Sequence, residues 1–122
     1  MKIRIKGNSI RYRLSKSEVA KLAETGYLEE QTLFPKNKFV YALRVSDSQQ
    51  NLKADFTDNK ISLFIPESFV NDWPNNSTVG IDTRITLTET DTLYLLVEKD
   101  FICLDETTED QTDNYENPNK TC

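Results

Sequence analysis

The sequence predicts an α+β domain: a mainly antiparallel, strongly curled sheet or partly open barrel of about eight short strands, with one N-terminal helix and a short second helix. Three observations lead there. A length of 122 residues suits one average domain with a single core. Apolar and polar residues alternate through most of the first 104 positions, the period of a strand with one buried face. A single segment, 16–25, changes to helical spacing behind a capping sequence.

The elements follow in order. Ile3 and Ile5, then Ile10, Tyr12 and Leu14, alternate with basic residues and predict two strands, with Gly7-Asn8-Ser9 turning between them. Ser15-Lys16-Ser17-Glu18 reads as a capping box, in which the Ser15 hydroxyl accepts from an early helical amide and Glu18 accepts from the Ser15 amide. Val19, Leu22 and Ala23 then recur at helical spacing, and Gly26 supplies a left-handed cap. Segments 27–34 and 39–45 are rich in aromatic and branched residues and flank Pro35-Lys36-Asn37, a hairpin connection. Leu52, Ala54 and Phe56 alternate on one side of Thr57-Asp58-Asn59, and Ile61, Leu63 and Ile65 on the other, predicting a second hairpin. Pro66-Glu67-Ser68 opens a short helix over about 66–73, with Phe69, Val70 and Trp73 inward and Pro74 at its end. Short strands at 79–83 and 84–87 precede 93–97, which is apolar on both faces and so belongs at the centre of a sheet. Glu98-Lys99-Asp100 is either strand or turn, which leaves 101–104 as its continuation or its return partner.

From residue 105 only Tyr115 and Cys122 are hydrophobic, so the expected organisation is a globular domain over 1–104 and an acidic polar tail over 105–122. The net charge of −5 belongs to the tail, because residues 1–100 hold 14 basic and 14 acidic side chains. The first 13 residues hold Lys2, Arg4, Lys6, Arg11 and Arg13 and no acid, so the two ends are complementary. The charged start and the lack of a long apolar run point to a cytoplasmic chain with neither signal peptide nor membrane span.

Composition removes whole classes of chemistry. With no histidine, Ser-His-Asp and Cys-His nucleophile systems, histidine metal ligands and a histidine pH switch are excluded. Gly7, Gly26 and Gly80 are too far apart to write a dinucleotide fingerprint or a phosphate loop. Cys103 and Cys122 with tail carboxylates offer a zinc or iron site or a disulfide, although no CxxC pair prepares it; otherwise Cys103 is a small buried hydrophobe and Cys122 a free thiol. Glu98 and Asp100 are the one carboxylate pair beside the apolar core, and without a nucleophile nearby they read as a charged tip in water. The basic stripe suits the chain's own acidic tail or an acidic protein partner. Nucleic acid is not the expected partner, because Tyr12, the one nearby aromatic, is in phase with Ile10 and Leu14 and points inward.

Three stretches, Gly7-Asn8-Ser9-Ile10-Arg11-Tyr12-Arg13-Leu14, Leu96-Val97-Glu98-Lys99-Asp100-Phe101-Ile102-Cys103-Leu104 and Tyr115-Glu116-Asn117-Pro118, resemble a family of small uncharacterised bacterial proteins. The resemblance implies a bacterial cytoplasmic domain, supplies no catalytic residues, and suggests one surface formed by Arg11, Arg13, Glu98, Lys99, Asp100 and the tail. The expected function is a non-enzymatic binding or interaction module without a cofactor. The alternative is a metal-binding or redox-responsive protein using Cys103 and Cys122, and a conventional enzyme ranks last.

Overall fold

The computed structural model describes residues 1–48, 50–101 and 112–116. Among these residues eight strands form two four-stranded sheets: β1 (Lys2–Lys6), β2 (Ser9–Leu14), β8 (Thr92–Lys99) and β7 (Gly80–Thr86) in that order, and β3 (Tyr27–Leu33), β4 (Lys38–Ser46), β6 (Lys60–Pro66) and β5 (Lys53–Thr57). Each sheet is two antiparallel hairpins joined through a parallel central pair, β2 with β8 and β4 with β6. Helix α1 (Lys16–Thr25) leads from the first sheet to the second. The return path runs through α2 (Glu67–Val70) and a 3-10 turn at Trp73–Asn75.

Local chemistry sets the ends of α1. The Ser15 side chain accepts from the Glu18 amide, Glu18 accepts from the Ser15 amide at 2.9 Å, and Gly26 closes the helix at φ 78° while its amide donates to Leu22. Val19 and Leu22 turn inward. They join Tyr12 and Leu14 of the first sheet, Leu43, Leu63 and Ile65 of the second, and Trp73 in one core, each of these side chains at 0% exposure. Burying an aliphatic or aromatic side chain of this size is worth ~1.5–3 kcal/mol, so this contact between sheets dominates the favourable side of folding. Tyr12 crosses the interface: its ring lies 5.7 Å from that of Tyr41 and its hydroxyl donates to the Ile61 carbonyl at 3.4 Å. Burial pushes the Tyr12 hydroxyl well above its ordinary range, so it remains a neutral donor.

The α+β reading and the three hairpin and helix signals of the first 66 residues stand, with differences in detail. The sheet neither curls on itself nor closes into a barrel; two separate sheets bury their inner faces against each other, and two of the six strand pairings are parallel. The two strands expected at 79–83 and 84–87 are one, β7, because β8 offers a continuous partner from Glu98 to Thr92. The second helix stops at Val70, and Pro74 lies inside the 3-10 turn rather than ending the helix, since its missing amide costs nothing at a first-turn position. Glu98 and Lys99 are strand residues, and Asp100 still donates its amide to Leu14 at 2.8 Å.

Candidate functional site

Strand alternation puts three rows of side chains on the outward face of the first sheet. Lys6, Ser9, Tyr94 and Arg84 are in register across the four strands, then Arg4, Arg11, Leu96 and Asp82, then Lys2, Arg13, Glu98 and Gly80. Six cations therefore face Asp82 and Glu98, with Asp100 just beyond the last row. One oxygen of Glu98 serves two guanidinium groups, at 3.3 Å from Arg11 Nε and 3.1 Å from Arg13 Nε, and Lys2 pairs with Asp100 at 2.9 Å. Arg4 and Lys6 have no acid of the described residues within 4.0 Å.

Those two cations, with Ser9, Ile10, Arg11 and Tyr94, line a depression of about 210 Å³. Tyr94 is fixed there, its hydroxyl donating to Asp82 at 2.9 Å and its ring carrying the Arg84 guanidinium 4.8 Å from the centroid. Partial burial, then the bond to Asp82, push the Tyr94 pKa upward and keep it a donor. The second sheet offers a contrast: its outward depression, about 380 Å³, sets Glu29, Asp55 and Asp58 against Lys38 and Lys60.

Arg11, Arg13 and Glu98, predicted as parts of one surface, do come together, and Asp100 stands at the edge of that surface. Lys99 does not join them. In register with Leu14, it points to the core side and is 3% exposed, with its Nζ 2.7 Å from the Asn76 carbonyl, 4.8 Å from the Tyr115 ring centroid and 5.9 Å from that of Trp73. Burial pushes the Lys99 pKa down. Tyr94 was missed by sequence reasoning, although stepping back by twos from Glu98 through Leu96 reaches it. Cys103 and Cys122, and any zinc or iron bound through them, lie outside the described residues.

The segment 112–116 packs beside α1 rather than over the first two strands. Asp113 accepts from the Lys16 amide through its carbonyl at 2.9 Å and from the Ser17 amide through its carboxylate at 3.2 Å; the Ser17 hydroxyl donates to the same carboxylate. Two amides left without partners by the helix start are thereby satisfied, one by a carbonyl and one by a carboxylate whose negative charge suits the positive end of the helix dipole. The Tyr115 amide donates to Asp100 at 2.7 Å, and its ring packs 5.9 Å from that of Phe101.

No curated protein and no solved structure matches the chain. A family model does match, over residues 1–119, which is nearly the whole sequence, and the chain accordingly belongs to the family of unknown function DUF7009.

Proposed function

We propose that the protein is a non-enzymatic binding module, and that the outward face of the β1-β2-β8-β7 sheet takes an acidic segment of another protein. The carrying observation is that Arg4 and Lys6 flank a depression together with Arg11 and meet no acid among the described residues, so their charge is left for a partner. Carboxylates suit this face better than a run of phosphates. Asp82 and Glu98 interrupt the positive charge along the sheet, and the Tyr94 ring already carries Arg84, which removes a face from base stacking. A cytoplasmic setting in a bacterium goes with this reading and is supported by the resemblance described above.

The test is binding of a fluorescent octaglutamate peptide to the full chain, read by polarisation over a range of salt. Saturable binding that weakens with salt, and falls at least about tenfold in the Arg4→Ala/Lys6→Ala double variant, is the expected result. Unchanged affinity in that variant would refute the proposal. Tighter binding of a single-stranded oligonucleotide than of the peptide would overturn it in favour of nucleic acid.

A further inference from the structure

Lys99 is a buried cation with no counter-ion among the described residues. Its amine can donate three hydrogen bonds, and among the described residues it donates one, to the Asn76 carbonyl. The rings of Trp73 and Tyr115 stabilise the charge through their faces, but no carboxylate of the described residues lies within 4.0 Å, since Asp100 turns outward to Lys2. Among the described residues the charge is held by a carbonyl and two rings, which compensate it incompletely, and an anion brought beside it gains more than the same anion would on an exposed lysine.

Space for such an anion is adjacent. Lys99 lines a depression of about 350 Å³ whose wall includes Phe101 and Tyr115, with Lys16 and Glu116 also on it. The wall is built in place, because Asp113 pins the segment carrying Tyr115 to the start of α1 and the Tyr115 amide is bonded to Asp100. We propose that this depression binds a small monocarboxylate with a flat apolar body, the carboxylate on Lys99 and the body against the rings of Phe101 and Tyr115. Glu116 sets the charge of the ligand, since a second carboxylate would meet it. The site is independent of the basic sheet face, from which β8 itself separates it.

Trp73 is the only tryptophan and lies beside the Lys99 amine, so its fluorescence reports the site directly. Benzoate titrated into the full chain should give a saturable change, while benzyl alcohol, the neutral analogue, should bind at least about tenfold more weakly, since a hydrogen bond to a charged group is worth that much. Lys99→Met should lose the preference for benzoate, and Glu116→Gln, which leaves the buried groups intact, should bind benzoate about two- to fivefold more tightly by removing a nearby like charge. Equal binding of benzoate and benzyl alcohol, no saturable response to benzoate, or unchanged benzoate affinity in the Glu116→Gln variant would each overturn the assignment.

Discussion

Gly80 opens β7 directly beside Glu98, and replacing it with alanine tests how tightly the two strands approach at the basic face. A Cβ built there would stand 2.8 Å from Glu98 Cα and 2.9 Å from Glu98 Cβ, and closer still to the Val97 carbonyl oxygen. These are backbone atoms and the root of a side chain, so none can swing aside. Restricting the unfolded chain by Gly→Ala favours folding by about 0.4–1 kcal/mol, while forcing an extra carbon into a packed site costs about 1–3 kcal/mol. The clash prevails, and Gly80→Ala should destabilise by roughly 1–2 kcal/mol by that difference. Strand β7 would have to lift away at the bond from the Lys99 amide to the Val79 carbonyl, now 2.9 Å. Gly7 is the control with the opposite cause. Nothing lies within 4 Å of its would-be Cβ, but its φ of 53° is left-handed, so Gly7→Ala should cost about 1–2 kcal/mol and Gly7→Asn much less. Urea unfolding gives the comparison, with an unchanged m-value as the check that the unfolded state is the same. A Gly80→Ala protein as stable as the parent would refute the close approach of β7 to β8.

Three further outcomes follow from the charged contacts. Burial alone would raise the Glu18 carboxyl, but hydrogen bonds from the Met1 amino group and the Ser15 amide, with the charge of that amino group, hold it below its ordinary value of 4.5. A lowered carboxyl contributes its full stability above the unfolded value and loses it as pH falls through the folded one, so Glu18→Gln should lose less stability than the parent on acidification below about pH 4.5; an identical loss in urea midpoints would contradict this. Asp113→Ala, which removes the acceptor for Ser17, should cost about 0.5–2 kcal/mol as a lost helix cap and speed amide exchange at Tyr115, whereas unchanged exchange would show that Asp113 does not hold the segment. Glu98→Gln frees Arg11 and Arg13 from their shared carboxylate and should tighten octaglutamate binding about two- to fivefold, a change that weaker or equal binding would exclude.

What could be read from the sequence was what is written locally. Helix α1 carries its own start and stop in Ser15, Glu18 and Gly26, and two hairpin turns carry theirs in the positive φ angles of Gly7 and of Asp58 and Asn59, which these residue types tolerate. The parallel pairs carry no such mark. β2 and β8 meet across 85 positions, as the bond from Arg13 to Glu98 shows, and no residue near either strand announces the partner. Hence the strands were legible and their division into two sheets was not. The same gap hid the site: Arg11 and Arg13 read as a stripe open to a distant acid, while the acid that meets them belongs to the next strand in space.

Lys99 shows the other limit, where charge and periodicity disagree. Within Glu98-Lys99-Asp100 every residue is charged, which argues for water on all sides, whereas alternation from Leu95 and Val97 sends Lys99 inward. Geometry prevails because β8 lies between β2 and β7, so turning Lys99 outward by a one-residue slip would expose Leu95 and Val97, now 0% exposed, at roughly 1.5–3 kcal/mol each. Against that, one ammonium that retains a carbonyl and two ring faces is the smaller cost. The register that protects the core thus also fixes the division of the charges: Glu98 joins the guanidinium groups outside, Asp100 meets Lys2 at the edge, and Lys99 is held beside Trp73 with no carboxylate of the described residues against it.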